Sequence, residues 1–295
     1  MTRLLVTGGT GLLGGAVVEG ARGRGWDVTA SCRRVPGRSP ADGVAWAALD
    51  LAEPGAAGAL VERVRPDAVI HTAAMTSPAE AEADPARAFR VNAAAAGEMA
   101  AACARAEARI IHLTTDLVFD GQSGPYGEED VPTAASAYGR SKAASEAAVA
   151  AAHADHVVVR TSLLLGRSAR GDRGVDEAME RTLRAGGRAR LFVDELRTPL
   201  AADDLAAVLL ALCGHAYRGL LHVAGPAAVS RYDLGVRIAR ARGLDLSLLE
   251  AVRMADVPGL VPPRAPAPVL RTDRLRALLP ALPRPRALDA VLARR

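Results

Sequence analysis

The chain has 295 residues, half of them hydrophobic, enough for a large core in one or two domains. Its net charge of +4 and pI of 9.3 come from arginine and glutamate interspersed without a basic block, and only 3% of residues are aromatic, so nucleic-acid binding is not expected. No apolar run reaches membrane-spanning length, no secretory leader is read before the first strand, and Cys32, Cys103 and Cys213 are scattered; a cytoplasmic protein with reduced thiols and no membrane partner is expected.

Arg3 to Thr7 is a short apolar strand, and the glycines at 8, 11 and 14 follow it in GGTGLLG before a helical pattern from Ala16 to Arg24. Glycine at such a turn lets the backbone approach a pyrophosphate, whose charge then sits on the helix N-terminus. Gly8, Thr10, Gly11, Leu12, Leu13 and Gly14 are therefore candidate cofactor residues. The next strand, Trp26 to Cys32, ends in Arg33-Arg34, where an NAD site usually carries an acid for the ribose hydroxyls. Two guanidinium forks suit a 2′-phosphate, which favours NADP, with NAD the alternative.

A third strand, Val44 to Leu49, leads into Asp50-Leu51, a candidate adenine clamp. The helix Ala56 to Val64 and the strand Asp67 to Thr72 follow, then Ala73-Ala74-Met75, small enough at the start to let a cofactor pass close to the backbone. A helix is expected over about Ala83 to Glu107. Asn92 lies within it and reads as a surface residue of low functional weight.

The stretch from Ile110 to Glu146 carries the chemistry. An apolar strand, Arg109 to Leu113, ends in Thr114-Thr115-Asp116, and Tyr138-Gly-Arg-Ser-Lys142 opens an alanine-rich helix to His153. Residues four apart share a helix face, so Tyr138 and Lys142 project together. An ammonium beside a phenol is expected to pull its pKa down. A strand-end hydroxyl and such a phenol can converge on one carbonyl oxygen. With the strand Val157 to Arg160, strand and helix alternate six times, which predicts an α/β, doubly wound parallel sheet of the Rossmann type.

After Ser162 the rhythm changes. A polar loop (Gly166 to Gly174), a helix (Val175 to Ala185) and a strand (Ala189 to Val193) come first. A helix (Asp203 to Cys213), a strand (Leu220 to Ala224), a helix (Tyr232 to Arg242) and a proline-dense tail with a short helix (Asp273 to Leu279) complete the chain. We read residues 1–162 as the dinucleotide domain and 163–295 as mainly a smaller C-terminal substrate-binding lobe, with segments near 201–224 returning to the sheet. No GxSxG turn supports a serine hydrolase. His153 and His156 form a close pair without a cysteine partner, read as surface residues, and no metal is expected.

TGGTGLLG, Thr114-Thr115-Asp116-Leu-Val118-Phe-Asp-Gly121, the loop Pro125-Tyr-Gly-Glu-Glu-Asp-Val-Pro132 and Tyr138-Gly-Arg-Ser-Lys142 together resemble an extended short-chain dehydrogenase/reductase. More narrowly, they are similar to the dTDP-4-dehydrorhamnose reductase family. Arg160-Thr-Ser162, Asp203-Asp-Leu-Ala206, Leu221 to Pro226 and Ser230-Arg-Tyr-Asp233 extend the likeness over most of the chain.

The resemblance implies NADPH-dependent reduction of a 4-keto (deoxy)sugar nucleotide, with a homodimer compatible with the family. Thr115 would be the catalytic hydroxyl, chosen over Thr114 by its spacing to Val118. Tyr138 would be the general acid, and Lys142 its activator and a ribose ligand. Tyr138 and Lys142 would thus also touch the cofactor, and Thr115, Asp116, Val118 and Tyr138 the substrate. Leu117 stands where the family has tyrosine, Leu163 where an aromatic usually follows, and the loop after Ala74 lacks its aromatic, which leaves the particular sugar open. An epimerase, dehydratase or reductase of another carbonyl compound is the alternative. Another is a non-catalytic NADP-binding subunit like the regulatory subunit of methionine adenosyltransferase, although such a subunit has no need of Thr115, Tyr138 and Lys142. Leu117 also breaks the Asp-Glu pair of sugar-nucleotide dehydratases.

Overall fold

The structure, a computed structural model, describes residues 1–35, 43–169, 171–261, 263–278, 280 and 284–293. The first half builds strands β1 (Arg3–Thr7), β2 (Asp27–Cys32), β3 (Ala45–Ala48), β4 (Ala68–His71) and β5 (Arg109–Thr115). Between them lie helices α1 (Leu12–Arg22), α2 (Ala56–Val64), α3 (Pro78–Ala83), α4 (Pro85–Phe89) and α5 (Ala95–Arg105). Helix α6 (Ala137–Ala152) and β6 (His156–Thr161) follow. Beyond them come β7 (Leu164–Leu165), α7 (Val175–Arg184), β8 (Ala189–Phe192), β9 (Leu196–Arg197), β10 (Leu200–Ala201), α8 (Ala202–Leu212) and β11 (Gly219–Val223). The last elements are β12 (Val229–Ser230), α9 (Arg231–Arg242), β13 (Leu249–Val252), α10 (Asp273–Leu278) and α11 (Leu288–Leu292).

Seven strands form one parallel sheet in the order β11-β6-β5-β4-β1-β2-β3. Successive side chains of a strand point to opposite faces, and here both faces are covered. Leu4 and Val6 share a core with Val17, Leu205 and Leu209 of α1 and α8. Leu5 and Ile110 share another with Leu60 and Met99 of α2 and α5. The strand order reverses between β1 and β4, so the crevice beyond their C-terminal ends is where a doubly wound sheet binds its ligand. A third core joins Leu165, Met179, Leu183, Leu234, Ile238 and Leu249 around α7, α9 and β13.

The expected α/β parallel sheet is the one observed, and the segment read as a strand over Leu220 to Ala224 pairs with β6 at its edge. The single helix expected over about Ala83 to Glu107 is observed from Pro85 to Arg105, with one change of hydrogen-bond register inside it. Asp84 accepts from the Arg87 N–H at 3.0 Å and Pro85 starts α4, after which Arg90–Ala94 winds as a π-helical turn before α5. Leu249–Val252, not read as a strand, runs parallel to β8. Of the short helix expected over Asp273 to Leu279, Leu279 lies outside the described residues. Among the described residues, no helix is long and apolar enough to cross a membrane.

Candidate active site

The glycine turn is built to leave a helix end open. Gly8 takes φ +71, which lets the chain double back so that the Gly11 N–H donates to the Gly8 carbonyl at 2.8 Å. A Cβ on Gly14 would lie 2.2 Å from that same carbonyl, so only glycine lets α1 start this close to β1. The N-cap, Gly11, has no side-chain cap, leaving the first N–H groups of α1 for an anion. Gly9, Thr10, Gly11 and Leu12 line a cavity of about 810 Å³ shared with α8 and the 167–169 loop, while Leu13 and Gly14 are buried beneath it.

Thr7 welds this turn to the end of β4. Its hydroxyl accepts from the N–H groups of Thr72 and Ala73, both at 3.1 Å, and its proton is directed to His71 Nδ1 at 2.7 Å. The Ala73 backbone therefore runs beside Gly8. Arg33 and Arg34 are exposed at the end of β2, which the Gly9 N–H ties to the turn through Ser31. Asp50 is exposed just beyond β3, while the side chain of Leu51 is buried in the core under α2 and α5, which leaves its backbone for the clamp.

Thr115 and Tyr138, expected to converge, lie on two segments that touch. Ser136 caps α6 by accepting from the Gly139 N–H at 3.1 Å, and Glu82 Oε2 accepts from the Ala137 N–H at 2.9 Å. A Cβ on Gly139 would lie 2.1 Å from the Leu117 carbonyl, so α6 begins hard against the turn that follows β5. This contact sets the Tyr138 phenol near the Thr115 hydroxyl, which acts to lower the phenol's pKa. Thr114 points elsewhere and donates to Glu146 Oε1 at 2.7 Å. Thr115 donates to Asp116 Oδ1 at 3.0 Å, and Ser162 donates to Asp116 Oδ2 at 2.6 Å.

The electrostatics differ from the expectation. Burial pushes the Tyr138 phenol well above its ordinary value, the nearby Asp116 carboxylate adds to this, and the Thr115 hydroxyl opposes it. Lys142 does not pull it down in this structure: its ammonium donates to the Leu113 carbonyl at 2.6 Å. Burial lowers Lys142 itself to about 8, with Glu146 acting in the other direction. Glu146 is held by a buried bidentate pair with Arg160, at 2.9 and 2.6 Å. Burial pushes the Asp116 carboxyl up, against Arg197, whose Nε is 3.9 Å away.

Other expectations are narrowed or corrected. The Val118 side chain is fully buried with Phe119, Tyr126, Ala224 and Leu270, which leaves only its backbone for a substrate contact. Asn92 is not on the surface. It is 1% exposed within the π-helical turn, and its amide bonds the Met75 backbone and Ser141 Oγ. Turns of this kind recur at functional sites. The only sign in the sequence is a lone amide inside an alanine run. His153 and His156 are half-buried and bonded to the carbonyls of Ala108 and His153. Among the described residues no cluster of three or more metal-ligating side chains occurs.

A family model described as the RmlD substrate binding domain matches residues 1–292. The chain is 36% identical over 257 residues to the probable low-salt glycan biosynthesis reductase Agl14 of Haloferax volcanii, covering 85% of this chain and 84% of that protein. It is 35% identical over 268 residues to a dTDP-4-dehydrorhamnose reductase of Mycobacterium tuberculosis, covering 88% and 82%. The fold is also that of dTDP-4-dehydrorhamnose reductase from Bacillus anthracis in complex with NADP, with a TM-score of 0.86 at 23% identity over 99% of this chain and 98% of that one.

Proposed function

This chain belongs to the family described as the RmlD substrate binding domain, and we propose that it is an NADPH-dependent reductase of a 4-keto (deoxy)sugar nucleotide. The observation that carries the reading is the Thr115–Tyr138 pair. These two buried hydroxyls sit at the C-terminal edge of the sheet, next to the strand-order reversal, with the Lys142 ammonium buried behind them.

The residues present fit a dinucleotide. The uncapped start of α1 takes the pyrophosphate, Arg33 and Arg34 take the 2′-phosphate, and the small side chains of Ala73 and Ala74 let the cofactor pass close to the backbone beyond β4. When bound, that cofactor supplies the hydride. Tyr138 then gives its proton to the alkoxide oxygen formed at the sugar C4, and burial keeps the phenol protonated until that charge develops. Fixed donors aimed at a developing oxyanion are typically worth about 2.7–4 kcal/mol each. In this reading residues 1–162 hold the cofactor, and 163–295 mainly hold the substrate, with 201–224 returning to the sheet.

Following NADPH absorbance against a panel of 4-keto sugar nucleotides tests the proposal. Turnover of at least one, lost in Tyr138→Phe, is the expected result. Tight NADP binding with no turnover of any would overturn it in favour of a binding subunit. Equal rates with NADH would contradict the role given to Arg33 and Arg34.

A further inference from the structure

The loop that leads out of β3 is tied down both within itself and from a neighbouring helix. Within it, Asp50 Oδ1 accepts from the Ala52 N–H at 2.9 Å, and the Asp50 carbonyl accepts from the Glu53 N–H at 3.3 Å. The Leu51 side chain is sunk in the core under α2 and α5, which leaves the exposed Asp50 carboxylate and the Leu51 backbone to meet a base.

The neighbouring helix holds the loop at two further points. Arg90 Nε donates to the Leu51 carbonyl at 3.3 Å, and Glu98 Oε2 accepts from the Gly55 N–H at 3.1 Å. Arg90 and Glu98 are locked to each other by two bonds, Nη1 to Oε1 at 2.6 Å and Nη2 to Oε2 at 2.9 Å. A forked guanidinium–carboxylate pair fixes direction as well as distance, which a single surface ion pair does not. In an unbroken α-helix, residues eight apart lie about 80° from each other around the axis. Arg90 opens the π-helical turn, and that wider turn takes up the offset, so the fork closes.

We propose that Arg90, braced by Glu98, is a positioning residue for the base of the cofactor: by holding the Leu51 carbonyl it aims Asp50 and the Leu51 N–H at adenine, without itself contacting the base. Adenine offers its exocyclic amine as a donor to the carboxylate and its N1 as an acceptor to the N–H. Hypoxanthine inverts both, with a carbonyl oxygen in place of the amine and a proton on N1. The preference between the two bases therefore reads how well the loop is aimed. The proposal rests on the dinucleotide reading of this site and not on the identity of the sugar.

The test titrates NADPH and its hypoxanthine analogue into the full chain and into Arg90→Met. The parent is expected to bind NADPH the more tightly. In Arg90→Met the affinity for NADPH is expected to fall about tenfold and that for the analogue no more than about twofold, so the preference collapses. An ion pair that only braces α2 against α5 would lower both alike or neither, and either result overturns the proposal, as does a parent without preference. If Arg90→Met does not fold, Arg90→Lys takes its place. Its single nitrogen keeps the charge beside Glu98 but does not supply the fork and the Leu51 bond together. The same collapse is expected, and a retained preference overturns the proposal. A parent that binds neither nucleotide overturns the dinucleotide reading and this proposal with it. A parent that prefers NADPH, with that preference unchanged in the variant, overturns this proposal alone.

Discussion

Asn92 grips the peptide of Met75 from both sides, accepting from its N–H at 2.8 Å and donating to its carbonyl at 3.1 Å. Its remaining amide proton goes to Ser141 Oγ at 2.9 Å, and Ser141 in turn donates to the Tyr138 carbonyl at 2.8 Å. One side chain thus couples the loop after β4 to the first turn of α6. Asn92→Ala leaves a buried N–H and a buried hydroxyl short of a partner, at about 1–3 kcal/mol each. Urea unfolding should show this loss, and NADPH titration a weaker affinity. Unchanged affinity would confine Asn92 to stability.

Two glycines separate cofactor binding from catalysis. An alanine methyl at 14 would collide with the Gly8 carbonyl, and one at 139 with the Leu117 carbonyl. Gly14→Ala should abolish NADPH binding, read by cofactor fluorescence. Gly139→Ala should keep binding but lose most turnover, because it pushes Tyr138 away from Thr115. Equal binding loss in both would contradict this division.

The pair Glu146–Arg160 is buried, and Arg160 also stacks over the Phe119 ring at 4.9 Å. Arg160→Met strands a buried carboxylate that also receives the Thr114 proton, and should lower unfolding free energy by about 3–5 kcal/mol. Adding Glu146→Leu should recover much of it in the same denaturation assay. No recovery would mean that the loss lies in packing against Phe119.

Stability should fall on acidification through the histidine range. Burial holds His71 and His222 neutral down to about 3, and His112 is held well below its ordinary 6.5 as well. The unfolded chain takes up these protons first, so the stabilisation is present above pH 6.5 and is lost as pH drops from there toward 3. Each group contributes a slope of up to about 1.4 kcal/mol per pH unit. Asp116 and Asp176, pushed up by burial, act in the opposite direction. The His222→Gln variant should therefore show a shallower acid slope in urea melts than the parent, and an identical slope would contradict this assignment.

The glycine turn, the alternation and the Tyr138–Lys142 face were legible because each is local: a turn residue, a period, a four-residue spacing. What Lys142 reaches was not, because helical spacing fixes its face and says nothing of the Leu113 carbonyl across the sheet. Asn92 was misjudged for a related reason. The π-helical turn inside the expected helix places its amide against Met75 and Ser141, contacts that no local pattern announces. Strand Leu249–Val252 exists only through pairing with a segment some sixty residues earlier, which no periodicity announces.

The central claim is hydride delivery to a sugar carbonyl under Tyr138, and isotope transfer tests it most directly. NADPH carrying deuterium at its hydride-donating carbon would be turned over with the accepted 4-keto sugar nucleotide and the product examined by NMR. The account predicts deuterium at sugar C4 in the parent and no labelled product from Tyr138→Phe. Deuterium at another sugar carbon, or full labelling by Tyr138→Phe, would contradict it.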